Sequence, residues 1–120
     1  MPEEGFRQAN IEKILTWLIE DGALTGAVVA SDDGLLIATA GQADAAIVAA
    51  VAAIMKTLAK RAHHEMTEIV TRDDRGNKIV SRYFVVDKEP MLLSVNVPAG
   101  RAYRRLTNQA IRRLKNVWQP

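Results

Sequence analysis

The segment that most limits the possible folds is "ADAAIVAAVAAIMKTLAKRA", residues 43–62, with apolar strand-like runs on both sides of it. Its alanines favour helix, Asp44 is placed to cap the start, and a helix this long can carry the chain across a sheet. On a helical wheel Ile47, Val51, Ile54 and Leu58 share one face, which is expected to lie on the sheet. Val48, Ala52, Met55 and Ala59 form a second stripe about 100° away, with small residues that let another helix approach closely. One face suffices to cover a sheet, so the second predicts self-association. The alternative is that the alanines serve helix propensity alone.

Upstream, Asn10 is a candidate cap for a helix with Ile11, Ile14, Leu15, Leu18 and Ile19 at helical spacing, ending near Gly22. This leaves residues 1–9 as an expected flexible tail. Thr25 to Ser31 and Leu35 to Ala40 read as strands joined by Asp32-Asp33-Gly34. Asp favours turns and Gly reaches positive φ freely, so the acidic stretch predicts a hairpin bend. A calcium loop would need further carboxylates, and Leu35 to Ala40 supplies none.

Downstream, Thr67 to Thr71 and Lys78 to Val86 read as strands separated by the turn "RDDRGN", and "DKEP" ends the second. In "MLLSVNV", Met91, Leu93, Val95 and Val97 face one way while Ser94 and Asn96 face the other, a strand with one wetter side. After Pro98 and Gly100 comes a last helix with Tyr103, Leu106, Ala110, Leu114 and Val117 on one side and Arg101, Arg105, Asn108, Arg112 and Lys115 on another. The order is α-β-β-α-β-β-β-α. Short turns favour antiparallel pairing, and 120 residues suit a single domain spanning 1–120.

Catalytic signatures are missing: the chain has no cysteine, no phosphate-cradling glycine loop, no serine elbow and no zinc-binding histidine pair. His63, His64 and Glu65 make a poor ligand set and read as a helix end. The pairs Asp32/Asp33 and Asp73/Asp74 sit beside glycines and read as turns rather than as acid/base dyads. No enzyme activity, cofactor or metal is therefore expected. The start "MPEEGFRQAN" lacks signal-peptide regions, and uncharged runs such as Ala45 to Met55 are too short to cross a bilayer, so a cytoplasmic protein without a membrane span is expected.

Net charge is +2, yet no acidic residue follows Glu89, while Arg101, Arg104, Arg105, Arg112, Arg113 and Lys115 all do. This asymmetry points either to an anionic partner or to a solvated face held partly by the acidic first helix. Aromatic residues are 5%, and no basic cluster interleaved with them forms a stacking surface, so nucleic acid is disfavoured and ranks third among the functional readings.

Taken with "LTGAVVASDDGLLIATAG", the alanine-rich helix, "MLLSVNV" and the terminal helix, this succession resembles the roadblock family of dynein light chains and bacterial GTPase regulators. The resemblance implies an α+β fold: a five-stranded antiparallel sheet with the central helix on one face and the terminal helices on the other. It also implies a homodimer through paired central helices and the edges of the third strands, with Val48, Ala52, Met55, Ala59, Glu68, Ile69 and Val70 as its interface. The function implied is a non-catalytic regulator or scaffold of a small Ras-like GTPase, with Lys56, Lys60, Arg72, Arg101, Arg105 and Arg112 as the expected partner surface. Arg72, Arg75, Arg101 and Arg105 are equal candidates for an arginine finger. The alternative within the family is a structural adaptor that recruits motor, polarity or signalling components without touching a GTPase.

Overall fold

The structure, a computed structural model, describes residues 2–118. The order is α1 (Pro2–Gly22), β1 (Gly26–Ser31), β2 (Leu36–Gly41), α2 (Ala45–Ala62), β3 (Glu68–Arg72), β4 (Lys78–Val86), β5 (Glu89–Val97) and α3 (Arg104–Trp118). The strands form one five-stranded antiparallel sheet, as the resemblance implies, and their order in it is β2-β1-β5-β4-β3. Since β2 and β3 are the two edges, α2 carries the chain across the sheet from one edge to the other.

Local chemistry sets most boundaries. The Asp44 side chain accepts from the amides of Ala46 and Ile47 at 2.9 and 3.2 Å, so it caps α2. At the other end His63 adopts φ 58° as the C-cap, with the His64 amide donating to the Ala59 carbonyl at 3.2 Å. The Asp32-Asp33-Gly34 stretch is a hairpin turn, with the Gly34 amide on the Ser31 carbonyl at 2.9 Å. Asp87 and Lys88, both at positive φ, close β4 onto β5 in two residues, so Pro90 lies early in β5 instead of breaking the strand.

Two boundaries differ from expectation. Helix α1 begins at Pro2 rather than at Asn10, so positions 2–9 are helical where a tail is expected; proline is tolerated in a first turn, which needs no amide donor there. Arg101 precedes α3 and lies in the β5–α3 loop.

Alternation along the strands separates two layers. Ala27, Val29, Val80, Phe84, Leu93, Val95 and Val97 pack with Ile11, Leu15 and Leu18 of α1 and Ala110 and Leu114 of α3. On the opposite face, α2 covers Val28, Ala30, Leu92, Ser81 and Ser94, and the last two share a buried Oγ···Oγ hydrogen bond of 2.9 Å. The wetter side of β5 is thus the floor beneath α2.

Candidate docking face on the central helix

The face of α2 against the sheet is not the expected one. Val48, Val51, Ala52 and Met55 are buried, while Ile47, Ile54 and Leu58 are 39%, 51% and 43% exposed. The expected interface residues Val48, Ala52 and Met55 are therefore sheet contacts, and Ala59 is half-buried. Tertiary contacts supply the reason. The β1–β2 turn packs against the Ala49–Ala52–Lys56 side of the helix, where a Cβ at Gly34, whose φ is +85°, would stand 2.8 Å from the Ala49 Cα, and this turns Val48, Val51, Ala52 and Met55 onto Val28, Ala30 and Leu92.

Ile47, Ile54 and Leu58 recur at seven- and four-residue spacing, which lines them up as an outward apolar ridge roughly 16 Å long. Beside it Lys56 is ion-paired with both turn carboxylates, Asp33 and, at 3.5 Å, Asp32. The hydrogen bond to Asp33 raises the Lys56 pKa above its ordinary value against a modest desolvation. The acidic turn thus pins the hairpin to α2. Under the C-terminal half of α2 opens a cavity of about 200 Å³ floored by Met55, Met66 and Leu92. At its rim the Tyr83 hydroxyl donates to Glu65 Oε1 at 3.3 Å, and burial followed by the Glu65 charge pushes its pKa up.

Strand β3 lies next to the ridge end of α2 in sequence and forms one edge of the sheet. Ile69 turns inward and joins the Met55–Leu92 cluster, while Val70 is 43% exposed on the other side. Glu68 faces the α3 side, 3.8 Å from both Arg82 and Arg104, and Arg82 continues to Thr107 at 3.1 Å and to Asn108. This chain of contacts ties the edge strand to α3.

The expected partner surface does not converge. Lys56 and Lys60 lie on α2, Arg105 and Arg112 lie on α3 across the sheet, and Arg72 and Arg101 lie at one end. The acidic first helix does not neutralise α3 through the contacts seen here. Arg113 instead stacks over Trp17 at 3.9 Å, and Arg7 stands over Trp118 at 5.6 Å. Among the described residues, no group of three His, Cys, Asp or Glu is placed to hold a metal, and no helix is long and apolar enough to cross a membrane.

The profile of the Roadblock/LC7 domain matches residues 11–75, more than half of the chain. The chain belongs to the Roadblock/LC7 domain family. Roadblock folds also surround it structurally. Myxococcus xanthus MglB superposes with a TM-score of 0.77 at 17% identity, over 92% of this chain and 89% of that one. The gliding protein MglB of Thermus thermophilus gives 0.74 at 15%, covering 94% and 91%, and a Roadblock/LC7 domain from Streptomyces avermitilis gives 0.70 at 16%, covering 88% and 92%. No curated protein sequence matches it.

Gly26, the first residue of β1, has a steric role. A Cβ on Gly26 would stand 1.9 Å from the Gln42 carbonyl oxygen, which also accepts from the Asn96 side chain at 2.8 Å. Sequence reasoning missed the ridge of Ile47, Ile54 and Leu58. No local signal marks it, because the face is set by contacts with the β1–β2 turn and the assembled sheet.

Proposed function

We propose that this roadblock protein is a non-catalytic regulator or scaffold of a small Ras-like GTPase, and that it self-associates through the outward face of α2 to form the species the GTPase binds. The observation that carries this is the ridge of Ile47, Ile54 and Leu58, three large aliphatic side chains in line on a helix whose neighbouring stripe already covers the sheet. A pair of such ridges buries them between two copies. The outer edge of β3 adds backbone donors and acceptors beside Val70, and a second β3 would satisfy them. The MglB fold relatives, one of them an MglB with a tetrameric arrangement, support the assembly reading, and the family resemblance supports a GTPase partner.

Shape recognition without a donated catalytic group suits the scattered cations: Lys56 is occupied by Asp32 and Asp33, and the arginines do not gather beside the ridge. Any effect on hydrolysis would come from stabilising one conformation of the partner.

The test mixes the purified protein with Ras-like GTPases encoded beside it and follows complex mass and phosphate release together. A complex that disappears with Ile54→Asp and Leu58→Asp is expected. Altered phosphate release marks a regulator, and a complex with unchanged release marks a scaffold. No complex with any such GTPase refutes the GTPase partner and leaves the adaptor reading.

A further inference from the structure

At one end of the sheet the β3–β4 turn and the β5–α3 loop are locked together, because the Ala99 amide donates to Asn77 Oδ1 at 3.0 Å. The junction gathers cations. Arg72 and Lys78 are register partners on β3 and β4, and both line an open cleft of about 500 Å³ with Thr25, Thr71, Asn77 and the carboxylate of Asp73. Lys78 and Arg104 flank the Tyr103 ring at 5.6 and 5.9 Å, and Arg101 stands exposed on the loop. This cluster lies at the start of α3, a 15-residue helix whose dipole is positive there and has no acidic residue in its first turn.

The nearby carboxylates do little to offset it. Asp73 accepts from the Arg75 and Asn77 amides at 2.9 Å each and from the Asn77 side chain at 3.2 Å, so it is spent on its own turn. Glu68 lies between Arg82 and Arg104. Asp74 is the remaining acid of the turn. Among the described residues, no carboxylate lies within ion-pair distance of Arg72, Lys78 or Arg101. Like charges held together beside a helix N-terminus repel, and an anionic partner would reverse the sign of that interaction.

We propose that this end of the sheet is a docking site for an extended acidic segment of a partner protein, with one carboxylate seated in the cleft between Arg72 and Lys78. A peptide fits better than a nucleic acid. Tyr103, the aromatic ring of the cluster, is half-buried and already has Lys78 and Arg104 over its ring at 5.6 and 5.9 Å, and one ring does not make a platform for stacking successive bases. Arg72 ends β3, whose outer edge the proposed self-association uses, but the binding read out here involves no GTPase and so fails or succeeds separately from that partner.

The probe is a fluorescein-labelled ten-residue polyglutamate peptide, titrated with the full chain at low ionic strength and followed by anisotropy. Saturable binding is expected, weakening steeply as salt rises. Arg72→Glu with Arg101→Glu should weaken it by about tenfold or more, on the scale of 1.4 kcal/mol per decade. Arg112→Glu with Lys115→Glu makes the same charge change far along α3 and should cost about twofold or less. Lysine at positions 72 and 101 should restore most of the binding, which separates a charge effect from damage to the fold. Equal loss in the two glutamate pairs, or no saturable binding, overturns the proposal. Tighter binding of single-stranded oligothymidine that depends on Arg72 and Arg101 overturns it in favour of nucleic acid.

Discussion

The two faces of the sheet are built differently. Against α1 and α3 the core is continuous and closed, with Ile11, Leu15, Leu18, Leu93 and Leu114 fully removed from solvent. Against α2 the contact splits into two small clusters over a hydroxyl pair, and three aliphatic side chains of the same helix point away. The first face concentrates stability, since burial and close packing act together there. The second holds α2 with less, and leaves its other side available for recognition.

Substitutions that empty one face and then the other sharpen this contrast, and urea unfolding measures them. Leu114→Ala, in the closed layer, should cost about 3–5 kcal/mol because the surroundings cannot collapse onto the void. Met55→Ala, beside the open cavity under α2, should fall near 2 kcal/mol because that site relaxes more easily. Equal costs would break the comparison. Ser81→Ala strands the Ser94 hydroxyl in a buried place and should cost about 1–2 kcal/mol, and adding Ser94→Ala should recover part of that. If the double variant is the sum of the singles, the pair is not coupled and the polar floor needs another account.

Smaller effects belong to the surface. Ile54→Asp should change the stability of the monomer by about 0.5 kcal/mol or less, since its side chain is half exposed. The last expectation concerns pH. Burial pushes the Asp73 carboxyl up, but the amides of Asn77 and Arg75 outweigh it and hold its pKa below 3.8. A carboxylate depressed in the folded state stabilises above its unfolded pKa, and that contribution fades as pH falls through the folded value. Asp73→Asn should therefore lose stability at neutral pH, with the gap to the unsubstituted chain narrowing as pH drops below 3.8. A gap independent of pH would show that the side-chain amide replaces the carboxylate fully.

What could be read from the sequence was whatever a few neighbouring residues decide. Asp44 caps its helix through amides two and three positions on, Gly34 turns its hairpin, and the alternation from Met91 to Val97 names both sides of β5. The start of α1 was misplaced because Asn10 has the chemistry of a cap and nothing local reveals that a helix already runs through it. The two stripes of α2 were exchanged for a different reason. Hydropathy ranks Ile47, Ile54 and Leu58 above Val48, Ala52 and Met55, but the face that meets the sheet is set by contacts from distant segments, such as the Gly34 turn against Ala49. That orientation is a property of the assembled sheet. The cation cluster at the end of the sheet likewise joins Arg72, Lys78 and Arg101 from segments far apart in the chain.

The claim that α2 carries an outward recognition face is tested most directly by sedimentation velocity on the unsubstituted chain and on the Ile54→Asp, Leu58→Asp variant, with circular dichroism on both. The account predicts twice 13.2 kDa for the former, 13.2 kDa for the latter, and the same helical signal in each. A single-chain mass for the unsubstituted protein at tens of micromolar, or a variant that stays paired, would contradict it.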